Sequence, residues 1–293
     1  MKVVFGLLFV ALVAVAAAEL ELEVPVSPVY GYHKREGIPR ASQIKAAEER
    51  AAAAGAERIV GGSLNSIANV PYQAGLVITI LWIFNSVCGA SLISPSRLLT
   101  AAHCYSDGTI TAQSFEVVLG SNTLFTGGNR IIVSPNNVGM HPSWNPNTAA
   151  NDIAIMRLGS PVALSNVIQP IGLPLANNDF IGQMARASGF GLTNDGNIGT
   201  SQALSSVDLP VITNAQCAAV YGPWVHASNI CVSGAGGRST CSGDSGGPLS
   251  LLSGGNRVLI GITSFGHVDG CQVGHPAAFA KVASFLTWIN NNL

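Results

Sequence analysis

One stretch of the sequence reads Cys241-Ser242-Gly243-Asp244-Ser245-Gly246-Gly247-Pro248. It places a serine between an aspartate and two glycines, and glycine lets a backbone turn sharply and approach a bound molecule closely. A serine hydroxyl is a weak nucleophile unless a neighbouring base takes its proton as it attacks. The stretch by itself could be a simple loop, so a nucleophile at Ser245 requires a base elsewhere in the chain.

Two upstream segments supply candidates for that base and for a group that orients it. They read Thr100-Ala101-Ala102-His103-Cys104 and Asn151-Asp152-Ile153-Ala154-Ile155. Imidazole titrates near neutral pH and can accept and return a proton, while a carboxylate can orient the ring. Alone, His103 could be a structural residue beside a cysteine and Asp152 a turn or cap before a strand. Together, in this order, they predict a catalytic triad with Ser245.

On these three segments the chain resembles the chymotrypsin family of secreted serine proteases, over the range from Ile59 to Leu293. Two further segments, Gly270–Gly274 and Pro276–Phe279, resemble arthropod enzymes in particular, notably insect midgut chymotrypsins. The resemblance implies an all-β fold of two antiparallel six-stranded β-barrels, with the active site between them and a C-terminal α-helix. It also implies a serine endopeptidase that acts on proteins and peptides.

The hydrophobic pattern independently predicts the all-β class. After Ile59, short runs rich in Val, Ile and Leu alternate with turns, which is typical of a barrel or a sandwich. Helical spacing appears only near the end, at Ser284–Asn291. The predicted strands include Gly75–Trp82, Phe115–Leu119, Arg130–Val133, Asp152–Arg157 and Val258–Ser264.

Composition excludes several classes of protein. The 293 residues contain 14 Lys+Arg and 15 Asp+Glu, and only 10% of them are charged, against roughly 25% in a typical soluble domain. There is no basic surface to hold a phosphate backbone, so we expect no nucleic-acid partner. The one long apolar run, Val3 to Ala18, is shorter than the ~20 residues of a membrane-spanning helix, so we expect no membrane partner either.

The N-terminal region predicts export and processing. Residues 1–18 have the form of a secretory signal peptide ending in Ala16-Ala17-Ala18, the alternative being a buried N-terminal helix. We therefore expect a secreted, extracellular protein, in the gut lumen if the insect resemblance holds. Residues 19–58 form a candidate pro-segment, with a short exposed helix from Ala41 to Ala56 and too little apolar periodicity for a core of its own. Residues 59–293 form the protease domain, divided at about 165/166 between the two barrels.

The junction Arg58-Ile59-Val60-Gly61-Gly62 resembles the activation site of the family's zymogens. Cleavage after Arg58 by a trypsin-like protease would free the amino group of Ile59, which the family pairs with the carboxylate of Asp244. That pair would lower the pKa of the carboxyl and hold the oxyanion loop in its active shape. The pro-segment contains no cysteine, so we expect it to dissociate once it is cut.

All six cysteines follow residue 58, and export favours disulfides over free thiols. Sequence alone allows 15 pairings, and a zinc site is the competing interpretation. No C-x-x-C or H-E-x-x-H spacing supports zinc, so we expect no metal. The family resemblance implies the pairs Cys88–Cys104, Cys217–Cys231 and Cys241–Cys271.

The resemblance also assigns roles around the nucleophile. The backbone N–H groups of Gly243 and Ser245 would form the oxyanion hole, and Ser264 would hydrogen-bond the catalytic aspartate. The segment Ser264-Phe265-Gly266 would pair with the substrate backbone as an added strand. Phe265 stands where the family usually has tryptophan, so the neighbouring subsite should differ.

The resemblance also implies three positions that line the specificity pocket, Ser239, Gly266 and Ala277. Ser239, six residues before the nucleophile, offers a neutral hydroxyl where a trypsin-like enzyme needs a carboxylate. Gly266 leaves the pocket open, whereas Ala277 adds a methyl group to the opposite wall. We therefore expect cleavage after large apolar or aromatic residues, with elastase-like or broad collagenolytic specificity as alternatives.

No cofactor is expected. The loop that binds calcium in some relatives corresponds to Ser121–Asn129, which contains no Asp or Glu. The expected partners are protein substrates, an activating protease and protein protease inhibitors, and the enzyme should be a monomer. Two rival functions are an inactive homologue that acts as a binding module and a processing protease with one target. The intact triad opposes the first, and the short cysteine-free pro-segment opposes the second in favour of digestion.

Overall fold

The computed structural model describes residues 26–53, 66–175, 178–195 and 203–293. The predicted signal peptide and the Arg58–Ile59 junction lie outside the described residues. Within them, no helix combines the length and the apolar character that crossing a membrane would require.

The first half of the chain forms a seven-stranded antiparallel sheet in the order β5-β4-β1-β2-β3-β7-β6. The two strands at the ends of this order, β5 and β6, are consecutive in sequence and only four residues apart. The sheet must therefore roll up so that its two edges approach each other. Its strands are β1 (Gln73–Ile80), β2 (Phe84–Ser94), β3 (Arg97–Thr100), β4 (Ser114–Leu119), β5 (Asn129–Val133), β6 (Val138–Met140) and β7 (Ala154–Arg157).

The second half forms a closed barrel in the order β10-β13-β12-β11-β8-β9, closed by pairing of β9 with β10. Its strands are β8 (Met184–Gly189), β9 (Ser205–Ile212), β10 (Asn229–Val232), β11 (Pro248–Ser253), β12 (Asn256–Phe265) and β13 (Ala277–Lys281). Three helices complete the described fold: α1 (Ile38–Ala53), α2 (Asn214–Tyr221) and the C-terminal α3 (Leu286–Asn290).

The predicted all-β architecture with a C-terminal helix is confirmed, with local differences. The N-terminal half is a rolled, seven-stranded sheet whose two edge strands are not paired with each other, instead of a closed six-stranded barrel. The first strand ends at Ile80 and not at Trp82, because Leu81 and Trp82 adopt positive φ angles of 49° and 65° and make the turn. The C-terminal helix begins at Leu286, after a 3₁₀ turn over Val282–Phe285.

The three disulfides are Cys88–Cys104, Cys217–Cys231 and Cys241–Cys271. The first joins β2 to the turn that carries His103, and the second joins α2 to β10. The third joins the segments on either side of the predicted specificity pocket. In the chain-entropy model each contributes about 3–4 kcal/mol to stability by restricting the unfolded chain.

Helix α1 lies in the predicted pro-segment and packs on the body of the protein. Ala41, Ile44, Ala47 and Glu48 are buried, and Ile44, only 1% exposed, belongs to the core of the N-terminal sheet. The expectation of an exposed helix is wrong. These residues share one helix face, and the alanines on that face are small enough to let the helix approach the sheet closely.

Replacing Phe115 tests the core of the N-terminal sheet. Its ring is fully buried on β4, so we expect Phe115→Ala to lower the free energy of unfolding by about 3–5 kcal/mol through lost burial and a cavity. Urea unfolding in a Ser245→Ala background avoids self-digestion. Ile132→Ala on the adjacent strand is the control, because Ile132 is 70% exposed and its truncation should change stability by less than about 0.5 kcal/mol. Equal losses would contradict this account of the core.

Candidate active site

His103 lies in a 3₁₀ turn, Ala102–Cys104, directly after β3. The Cys88–Cys104 disulfide ties this turn to β2. The His103 side chain is completely buried. The neighbouring strand and the disulfide therefore fix the backbone that carries the predicted base.

Asp152 orients the imidazole through a buried hydrogen-bond network. The backbone N–H of His103 donates to Asp152 Oδ1 at 2.9 Å, and ring Nδ1 lies 2.7 Å from Oδ2. Ser264 Oγ donates to the same Oδ2 at 2.6 Å. With both carboxylate oxygens occupied, the ring is held with Nδ1 toward Asp152 and Nε2 pointing away from it, the orientation that a general base requires.

Ser245 lies in a loop inserted between the two sheets. The backbone N–H of Gly89 on β2 donates to the carbonyl of Ser245 at 2.6 Å, and the N–H of Gly246 donates to the carbonyl of Thr263 on β12 at 2.8 Å. Gly246 adopts φ +79°, and a Cβ there would lie 2.3 Å from the Thr100 hydroxyl. This glycine is therefore required where the nucleophile loop meets both sheets.

Tyr32, a side chain of the predicted pro-segment, covers His103, the predicted base. The ring of Tyr32 stacks edge-on against His103 with centroids 4.6 Å apart, and its hydroxyl donates to the Val87 carbonyl at 2.7 Å. His103 Nε2 is buried and has no hydrogen-bond partner in the described part of the chain. Burial raises the pKa of Tyr32 far above its usual range, against an opposing interaction with the Ser245 side chain. The Tyr32 ring therefore shields the buried His103, whereas Ser245 is only partly buried and lines a neighbouring cavity.

The structure brings two of the three predicted specificity residues to one cavity. Ser239 and Gly266 line the same cavity as Ser245, of about 270 Å³, and pro-segment residues such as Pro28 and Arg35 form its other side. A Cβ placed on Gly266 would touch nothing within 4 Å. Ala277 is fully buried in the core of the second barrel and is not among the residues that line this cavity, so its role in the pocket stays a prediction.

Asp244 is buried, and in the described residues it forms no ion pair. Its carboxylate accepts the N–H groups of Gly191 and Cys241, each at 2.9 Å. Burial raises the pKa of Asp244 to about 6, opposite to the lowering expected for the cleaved chain, in which an ammonium partner would be present. A second cavity, of about 350 Å³, opens beside this carboxylate and is lined by Gly189 and Leu192.

Three buried residues of the pro-segment, Tyr32, His33 and Glu48, were missed by reasoning from the sequence. The aromatic cluster Tyr30-Gly31-Tyr32-His33 is the one signal that could have drawn attention to the first two. Glu48 is 4% exposed and accepts hydrogen bonds from the Ser121–Asn129 loop, which has no acidic residue of its own.

Two groups of side chains come within metal-ligand range among the described residues. They are Cys88, His103 and Cys104, and Asp195, Cys241 and Cys271. Each group contains both halves of a disulfide, and a disulfide sulfur is not the thiolate that binds a metal. Neither group therefore makes a plausible cation site.

The chain is similar to known proteins over most of its length. The family model described as Trypsin matches residues 59–289. Brachyurin from Leptuca pugilator is 41% identical over 233 residues, covering 79% of this chain and 96% of that protein. Collagenase from Hypoderma lineatum is 38% identical over 239 residues, covering 80% of this chain and 87% of that protein. The solved structure of HL collagenase matches with a TM-score of 0.70 and 37% identity, covering 80% of this chain and 98% of that one.

The buried carboxyl of Asp244 predicts a pH dependence of the uncut chain. Its pKa of about 6 lies above its ordinary value of 3.8, so its contribution to stability is fully present below the unfolded pKa and is lost as pH rises through about 6. We expect Asp244→Asn, in an Arg58→Gln background that keeps the chain uncut, to flatten the fall in unfolding free energy between pH 4 and pH 7. Urea titrations at each pH measure this slope.

Glu49→Gln is the control, since Glu49 is an exposed residue of α1 and its substitution should leave the slope unchanged. If unfolding free energy fell equally steeply with pH in Asp244→Asn and in the parent, the raised pKa of Asp244 would be contradicted.

Proposed function

Because this chain belongs to the trypsin family of serine endopeptidases, we propose that it is a secreted digestive protease, made as a zymogen and activated by cleavage after Arg58. In this proposal the mature enzyme hydrolyses peptide bonds after large apolar or aromatic residues. The observation that carries the catalytic assignment is the hydrogen-bonded arrangement of Ser264, Asp152 and His103, with Ser264 and Ser245 lining the same cavity.

The proposed mechanism follows from that arrangement. Ser245 Oγ attacks the carbonyl carbon of the scissile peptide while His103 Nε2 takes the hydroxyl proton. The negative charge on the carbonyl oxygen is received by the N–H groups of Gly243 and Ser245, a contribution of about 3–4 kcal/mol for each donor. The imidazolium, stabilised by Asp152, then gives its proton to the leaving amine. Water repeats the sequence on the acyl-enzyme and restores Ser245.

Specificity rests on the neutral pocket residue Ser239. Its hydroxyl cannot neutralise a buried Lys or Arg side chain, and desolvating an unpaired cation is costly. The open space above Gly266 leaves room for a large apolar side chain. Similarity to proteins named brachyurin and collagenase keeps a broader collagenolytic specificity as the alternative, and elastase-like cleavage is a further one.

Activation by cleavage is supported by the surroundings of the Asp244 carboxylate in the uncut chain. Its carboxylate lacks a cationic partner among the described residues, and a cavity lies next to it. A new amino terminus at Ile59 could supply that cation. Secretion is supported by the three disulfides and by the signal-like N-terminus, since disulfides persist in oxidising compartments.

A panel of peptide substrates that vary only in the residue before the cleaved bond tests the specificity. We expect the trypsin-activated enzyme to cleave after Phe, Tyr or Leu with a kcat/KM at least about tenfold above that for Ala, since each lost methylene in an apolar pocket costs about 1–3 kcal/mol. Ser245→Ala, activated in parallel, should be inactive and should not react with an organophosphate. Preferred cleavage after Lys, or activity that survives in Ser245→Ala, would overturn the proposal.

The activation step is tested by blocking one cleavage site. We expect Arg58→Gln proenzyme to stay inactive after trypsin treatment, because no amino group forms at Ile59 to pair with Asp244. Arg50→Gln is the matched control, since Arg50 is an exposed residue of the same pro-segment and its loss should leave activation intact. N-terminal sequencing of the parent should give Ile-Val-Gly-Gly, and full activation of Arg58→Gln would refute the assigned site.

A further inference from the structure

We propose that residues 26–53, which we call the covering segment, are an inhibitor that binds the catalytic cleft non-covalently and keeps binding it after the chain has been cut, in place of the dissociation expected from its lack of cysteine. The proposal rests on the proposed function in that it assumes cleavage after Arg58. It adds a partner to the mature enzyme, namely the released pro-segment itself. Loss of activity in the uncut chain then has two sources, the missing amino terminus and a blocked cleft.

The first contact of the covering segment is aromatic and lies on the catalytic base. Tyr32 is 5% exposed, and it leaves His103 with no exposed surface. Its hydroxyl is bound to the Val87 carbonyl and its ring to the imidazole, so it fills the space that a substrate next to His103 would need. The backbone N–H of Tyr32 is bonded within its own turn to the Val29 carbonyl. Because a side chain rather than an extended backbone faces the nucleophile, the segment blocks the cleft without offering a bond for cleavage.

The residues beside Tyr32 hold it in place. The backbone N–H of Gly31 donates to the Asp107 carbonyl at 3.0 Å, and that of His33 donates to Asp107 Oδ2 at 2.8 Å. The His33 ring is fully buried, with Nδ1 2.9 Å from Ser86 Oγ. The loop around Asp107 thus binds the backbone of Gly31 and His33, and Ser86 on β2 binds the His33 ring.

The second contact is a carboxylate held by a loop of the protease body. Glu48 accepts the backbone N–H groups of Leu124 at 2.6 Å and Phe125 at 2.9 Å, and the Thr126 hydroxyl at 3.2 Å. The Ser121–Asn129 loop has no acidic residue of its own to bind these donors. Glu48 supplies the missing negative charge, and charge-assisted hydrogen bonds are roughly twice as strong as neutral ones.

Between the two contacts, helix α1 lies next to the predicted oxyanion loop. The Cδ1 methyl of Ile44 is 3.9 Å from where a Cβ on Gly243 would be, and the Ile44 side chain is 1% exposed. One continuous segment therefore covers the base, approaches the oxyanion glycine and binds the Ser121–Asn129 loop.

Release of the covering segment then depends on the dissociation equilibrium between the cut segment and the enzyme. No cysteine ties the segment to the enzyme, so cleavage after Arg58 converts an intramolecular contact into a bimolecular complex. Its contact residues are buried, whereas Lys34, Arg35, Lys45 and Arg50 are exposed. A trypsin-like activating protease can therefore destroy the inhibitor by cutting at these residues.

The 19–58 peptide added to purified, activated enzyme tests the proposal. We expect competitive inhibition of substrate cleavage with a Ki below about 100 μM. Glu48→Gln and Tyr32→Ala peptides should bind at least about tenfold more weakly, because each loses contacts to buried partners. Glu49→Gln is the matched control: it makes the same charge change at the neighbouring, exposed helix position and should inhibit as well as the parent.

Fluorescence anisotropy of the labelled peptide on activated Ser245→Ala enzyme measures binding without activity. We expect the peptide to bind Ser245→Ala enzyme, and the variant peptides to rank in affinity as they do in inhibition. This result does not depend on which natural substrate the enzyme cleaves. An enzyme that cleaves its substrates but neither binds nor is inhibited by the peptide would overturn the inference and leave the proposed function standing. Equal weakening by Glu48→Gln and Glu49→Gln, or inhibition that mass spectrometry traces only to competing hydrolysis of the peptide, would overturn it as well.

Discussion

The buried carboxylate of Asp152 links the catalytic geometry to the packing of the two sheets. A carboxylate removed from water costs several kcal/mol unless it is fully hydrogen-bonded, and here three donors satisfy it. Two of them come from His103, at the end of β3, while the third comes from Ser264 on β12. The imidazole can therefore hold its orientation only while the N-terminal sheet and the C-terminal barrel keep their relative positions.

Close approach of backbones at the same boundary places Ser245, the proposed nucleophile. A Cβ on Gly89 would lie 2.8 Å from the Cα of Gly247, so no larger residue fits where β2 meets the nucleophile loop. Hydrogen bonds from Gly89 and Gly246 then hold the backbone around Ser245 from both sides. Glycine in this motif is thus a packing requirement between two sheets as much as a requirement of the turn itself.

The pro-segment shows how a weak local pattern can hide a specific contact. Helix α1 has only Ala41, Ile44 and Ala47 as apolar residues on its buried face, together with the carboxylate of Glu48. Apolar periodicity alone therefore indicated an exposed helix, because alanine contributes little hydrophobic signal and glutamate contributes none. The surface that receives this face comprises β2, Gly243 and the Ser121–Asn129 loop, segments that are distant in sequence and come together only in the folded protein.

The sequence by itself determined the all-β class, the three segments that bear His103, Asp152 and Ser245 and, through the family resemblance, the pairing of six cysteines. These features can be identified from short contiguous motifs, in which a few residue types at fixed spacing indicate the chemistry. Only the tertiary structure decided that Tyr32 covers His103, that Glu48 binds Leu124 and Phe125, that Asp244 is buried with a raised pKa and that Ala277 faces a barrel core. Each of these depends on which distant backbone donors and side chains surround a group, and burial and hydrogen bonding of that kind are set by long-range packing that no local pattern specifies.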